Sequence, residues 1–229
     1  MKVTLYHGTS ESHARSIVHE GIHPRGEGDG EGEGEDRGNW DVPSSPDMVY
    51  LTRVYAGYFA AAASESNEKW AIVEVSVDHV NLLPDEDFLE QATRDSPDTV
   101  CPLCGMEART EWFRDNLHNF SHHALDSLDA IGNVAHRGMI PVSNITRATL
   151  FDPRKSPMLA IMAVDPAICI ANHRFMGDRY RALTRALMGY EVEAKALAGV
   201  FWQAYDEEQR ATYRKALSEL HLALEVIYP

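Results

Sequence analysis

The sequence predicts an α+β fold, with a core of mixed strands and helices over residues 1–155 and a helical extension over 156–229. Three observations predict it. Residues 70–77 (WAIVEVSV) alternate, with Ala71, Val73, Val75 and Val77 on one face and Trp70, Ile72, Glu74 and Ser76 on the other, the period of two that belongs to a strand. Short runs rich in β-branched and aromatic types, at 2–6 (KVTLY), 48–52 (MVYLT) and 144–151 (NITRATLF), lie between stretches of helical period. Residues 172–227 contain no proline and space their apolar residues as helices do.

Each element has a local signal. Ser10 is a candidate N-cap for a helix over 11–19 whose Ala14, Ile17 and Val18 share a face, and Gly21 stands where a C-cap glycine belongs, with Pro24 shortly after. The stretch after Thr52 (RVYAGYFAAAASES) reads as a helix carrying Tyr55, Tyr58 and Phe59. Residues 81–105 read as loop, through the turn signals NLLPDEDF, DSPD and CPLCG. A helical pattern through Trp112, Phe113, Leu117 and Phe120 spans 106–129.

Charge narrows the function. The net charge of −14 argues against general affinity for nucleic-acid backbones or anionic membranes, which need a Lys/Arg surface. Much of it is local, because residues 26–41 hold seven acids and the single base Arg37. The Gly/Glu tract at 26–36 has no apolar residue to bury and is expected to be an acidic, flexible surface loop. Residues 156–229 are nearly neutral, with nine acids against eight Lys/Arg. The N-terminus lacks the apolar stretch of a secretory signal, no run reaches the ~18 apolar residues of a membrane span, and three cysteines are too few for a disulfide framework. A cytoplasmic setting is the expectation.

Four features occur in a fixed order. His7-Gly8-Thr9 follows the first strand, and Tyr50 sits on a later one. A helix with Tyr58 comes next, and an Ile-Pro-x-x-x-Ile segment from Ile140 to Ile145 enters the last strand. This order resembles the ADP-ribosyltransferase superfamily, in the branch marked by His, Tyr and a third residue that is often Glu. The resemblance covers roughly residues 3–152 and implies a split mixed β-sheet that binds NAD and transfers its ADP-ribose, releasing nicotinamide. By the same resemblance His7 contacts a ribose, Gly8 holds the carboxamide through its backbone beside Thr9, and Tyr50 and Tyr58 stack on the nicotinamide.

Those residue types suit that ligand. Imidazole both donates and accepts hydrogen bonds, glycine permits close approach, and tyrosine offers an apolar face with a polar tip. Arg137 is a candidate for the pyrophosphate, since guanidinium pairs well with phosphate. Where the family places its Glu, this chain has Pro141-Val142-Ser143-Asn144-Ile145, so neutral Asn144 or Ser143 stands there. A carboxylate near the reacting ribose would stabilise oxocarbenium-like charge. Glu74 and Glu111 are candidate substitutes, and a module that binds NAD or ADP-ribose without turnover is the alternative. The acceptor is unspecified: a protein, a nucleic acid or a small molecule.

Two further patterns compete. Cys101 and Cys104 with His118 and His122 read C-x2-C-x13-H-x3-H, close to a zinc-finger spacing. A continuous helix over 106–122 would set His118 about 20 Å from Cys104, too far to share an ion, so no metal is expected. His122-His123 reads as a solvated helix end and Cys169 as a small buried hydrophobe. RNA 2′-phosphotransferases also carry His-Gly-Thr, but behind a separate N-terminal lobe; with that triplet beginning at His7 and an acidic balance, this relation ranks lower.

Overall fold

The computed structural model describes residues 1–24, 45–94, 101–164, 173–192 and 207–229. The acidic tract at 26–36 and Cys169 lie outside these described residues.

A seven-stranded antiparallel sheet organises the chain, in the order β4-β5-β2-β1-β3-β6-β7. Its strands are β1 (Lys2–Ser10), β2 (Met48–Thr52), β3 (Trp70–Asp78), β4 (Leu82–Pro84), β5 (Asn133–Arg137), β6 (Ile145–Phe151) and β7 (Leu224–Ile227). The helices are α1 (Glu11–Glu20), α2 (Ala56–Ala63), α3 (Glu86–Thr93), α4 (Met106–Asn116), α5 (Ala124–Ala130), α6 (Pro157–Val164), α7 (His173–Leu187) and α8 (Glu207–Glu219). The fold is therefore α+β. Among the described residues no helix is long and apolar enough to cross a membrane.

Alternation in β3 builds both faces of the sheet. Ala71, Val73, Val75 and Val77 are fully buried with Leu5, Val49, Leu51 and Leu150, under Ala14, Ile17 and Val18 of α1 and Leu128 of α5. The α1 signals hold: Ser10 accepts from the His13 N–H, and Gly21 ends the helix at φ 93°. On the opposite face, Tyr6, Ile72 and Phe151 pack under α2, α6 and α7. Farther along that face, Met48, Leu83 and Ala135 pack against Leu89 of α3 and Phe113 of α4.

Several segments depart from the sequence reading. Residues 81–105 contain β4 and α3, because Asp85 caps α3 through the Asp87 N–H and the Glu86 and Asp87 acids suit its N-terminus. The 106–129 pattern breaks after α4 into a 3-10 stretch, Leu117–His123, in which Phe120 leaves helical geometry before α5 begins. Asn133–Arg137, without an alternating pattern of its own, is an interior strand.

The extension is not wholly helical. Beyond α6, α7 and α8, its last strand β7 pairs with β6 from Ala148↔Ile227 to Phe151↔Leu224. Glu225 of β7 binds Lys69 at 2.6 Å and Arg15 at 3.2 Å, tying β7 to the start of β3 and the middle of α1. Tyr180, Leu183 and Leu187 of α7 join α2 in one core cluster.

Close packing of α2 on β1 explains Gly8. A Cβ there would stand 2.3 Å from the Ala56 carbonyl oxygen, 2.6 Å from the Ala60 nitrogen and 2.8 Å from the Phe59 Cβ. Two of these neighbours are backbone and cannot swing away. Gly8→Ala is therefore expected to lower unfolding stability by about 2–3 kcal/mol, measured by urea denaturation; a loss under about 0.5 kcal/mol would contradict this packing.

Candidate functional site

The sheet has a seam. β1 pairs with β3 along nine residue pairs, from Lys2↔Asp78 to Ser10↔Trp70, but with β2 at Tyr6↔Thr52 alone. In an antiparallel strand successive backbone groups point alternately to the two neighbours. With Tyr6 bridged to Thr52, Gly8 and Ser10 aim their N–H and C=O toward β2, where among the described residues no ladder pair continues the bridge.

Thr52 closes the bridged end. Its hydroxyl donates to the Gly132 carbonyl at 3.0 Å and accepts from the N–H groups of Val54 and Tyr55, fixing the turn from β2 into α2. On the open side His7 spans the seam: its Nδ1 donates to the Tyr50 carbonyl oxygen at 3.0 Å. A side chain does here what a ladder hydrogen bond would do, and it joins two residues 43 apart in sequence. That donor role places the proton of a neutral ring on Nδ1 and makes Nε2 an acceptor.

Tyr50 points to the α3 face. Its phenol donates to both carboxylate oxygens of Glu86, each at 2.9 Å, and accepts from the Ser45 N–H at 3.1 Å. Ser45 is in turn held by its hydroxyl on Asp47 at 2.6 Å. Burial, with the Glu86 charge next, raises the Tyr50 phenol well above its ordinary range. Burial also pushes Glu86 up to about 7, against the opposing pull of its own backbone N–H and the Tyr50 phenol. Asp85 is raised well above the carboxylate range by burial and by Glu86, and Asp87 is raised by burial and Glu90.

The other residues singled out by sequence divide. Thr9 is buried in β1, past His7 and Gly8 along the seam. Arg137 is exposed at the end of β5, paired with Met48, and so lies one strand over from Tyr50 toward the open end. Tyr58 packs instead toward the extension, lining a small crevice with Tyr55, Ala163, Tyr180 and Leu187. Asn144 ends the 3-10 turn Val142–Asn144, its N–H on the Pro141 carbonyl at 2.9 Å. The next residue, Ile145, pairs with Val75, which pairs with Leu5, so Asn144 sits two strands, about 10 Å, from β1. Ser143 is exposed in that turn. The structure brings His7 and Tyr50 together but not Asn144.

Neither substitute carboxylate reaches the seam's His7–Tyr50 link. Glu74 pairs with Tyr6 on β1 and accepts from the Tyr190 phenol at 2.7 Å, beside Arg147, whose guanidinium lies 4.0 Å over the Tyr190 ring. Burial and Glu74 raise Tyr6 to about 12. Glu111 is exposed on α4. Sequence reading missed Glu86, the carboxylate that does touch a predicted site residue. Cys101 is buried while Cys104 is exposed, and among the described residues no three His, Cys, Asp or Glu side chains gather as a metal site. No family model matches the chain, and no curated protein is similar to it in sequence.

Glu86 makes stability depend on pH. Its folded-state value, about 7, lies above the ordinary 4.5, so the fold favours the neutral acid. That contribution is fully present below about pH 4.5 and is lost as pH rises through 7. Over that rise the native protein is expected to lose about 2–3 kcal/mol relative to Glu86→Gln, measured by urea denaturation across pH. Parallel curves for the two proteins would contradict it.

Proposed function

We propose that this chain has an ADP-ribosyltransferase-like fold and binds NAD along the seam between β1 and β2. The observation that carries the reading is the hydrogen bond from His7 to the Tyr50 carbonyl, beside a stretch of β1 whose backbone groups face a missing ladder. The order of features supports it as well: strand and His-Gly-Thr, strand and Tyr50, helix α2, then the Ile140-Pro141 entry to β6.

The donor set fits the nicotinamide-ribose half of NAD. The β2-facing backbone of Gly8 and Ser10 supplies the N–H and C=O that hold a carboxamide, and Tyr50 supplies a half-buried ring with a fixed phenol. His7 contacts a ribose hydroxyl, and exposed Arg137, at the open end, serves the pyrophosphate. Gly8 contributes backbone only, since its side-chain position is filled by α2. Tyr58 fits less well, because it faces the extension.

When bound, NAD supplies an activated glycosidic bond, and the protein's part is to hold the ring, exclude water and offset positive charge at the ribose. We assign the chain an NAD-dependent transfer of ADP-ribose with release of nicotinamide. The neutral Asn144, set two strands from His7, favours a second reading in which the seam binds NAD or an ADP-ribose-containing ligand without turnover. An RNA 2′-phosphotransferase activity ranks behind both, on charge.

Labelled NAD separates the readings. Nicotinamide release is expected from the native protein and is expected to fall at least about tenfold, or about 1.4 kcal/mol, in His7→Ala and in Tyr50→Ala. Release that survives both substitutions would overturn the site; binding without release would select the second reading.

A further inference from the structure

Glu86 is buried against Tyr50 and is not a surface acid. It opens α3 behind Tyr50, is buried, and takes the phenol proton on both oxygens at equal distance. The Ser45 N–H holds the phenol oxygen from the other side, so the ring is fixed in one orientation. The groups facing Glu86 are Tyr50 from β2, Asp85 and Asp87 beside it, and Arg114 from α4.

A phenol donating to a carboxylate gains electron density on its ring, and an aromatic face is already the negative end of a quadrupole. Burial keeps water from screening the charge behind the ring. Such a ring attracts a flat cation more than a neutral ring of the same shape. The two oxidation states of NAD differ in this respect: the oxidised nicotinamide is a pyridinium cation, and the reduced one is neutral.

Resting on the NAD reading of the seam, we propose that Glu86 is a specificity-determining residue acting through Tyr50, selecting the positively charged ring of oxidised NAD over neutral nicotinamide rings. Asp85 and Asp87 add to the negative field where they are ionised, and Arg114 subtracts from it. The carboxylate is ionised above its raised titration point, so the selection belongs to the alkaline side of neutrality.

Calorimetry on the full chain tests this with two ligands that cannot turn over: carba-NAD, which keeps the pyridinium but not a breakable glycosidic bond, and NADH. The native protein is expected to prefer carba-NAD by about tenfold at pH 8, and the ratio is expected to shrink to within about twofold at pH 6. Glu86→Gln and Tyr50→Phe are expected to show the small ratio at both pH values. Tyr50→Phe keeps the ring, so it carries the test if the Gln variant fails to fold. A purely structural role for Glu86 would weaken both ligands alike and leave the ratio at its native value, which overturns the proposal while the seam remains an NAD site. Failure of the native protein to bind either ligand overturns both.

Discussion

The incomplete pairing of β1 with β2 is the constraint on which the rest depends. A seven-stranded sheet with full ladders would be closed to ligands at its centre. Here nine pairs bind β1 to β3, one binds it to β2, and a histidine bridges the remainder. Thr52 braces the closed end through three hydrogen bonds, and α2 presses on Gly8 so closely that no side chain fits. β1 and β2 are thus joined by one bridge at the closed end and by the His7 side chain on the open side.

Much of the fold was legible because its signals are local. The clean alternation of β3 reflects burial on both faces, and the caps at Ser10 and Gly21 mark α1 by residue type. What was missed depends on distant partners. β5 is a strand because β2 and β4 flank it, although Asn133-Val-Ala-His-Arg137 carries no alternating pattern. β7 takes its strand form from β6 and from the ion pairs of Glu225 with Arg15 and Lys69, while its apolar residues run on from a helical pattern. Read alone, NLLPDEDF is a turn; Asp85 at an N-cap before Phe88 and Leu89 was the signal for α3.

The candidate site divides the same way. His7 and Tyr50 could be paired from the order of motifs, and the structure supplies the bond between them. The expected carboxylate could not be placed by order. Asn144 occupies the motif position but lies two strands from β1, while Glu86 reaches Tyr50 only because β4 hands the chain to α3 behind β2. No local feature of an acidic run shows which of its carboxylates are buried, as Asp85, Glu86 and Glu90 are. The strong upward shifts at Asp85 and Glu86 report that burial.

Amide chemical-shift mapping tests the seam most directly. On titration with NAD, the largest shifts are expected at Gly8, Thr9 and Ser10 of β1 and at Tyr50 and Leu51 of β2, with smaller ones at Arg137. Absence of shifts, or shifts concentrated away from these two strands, would contradict the seam as a nucleotide site.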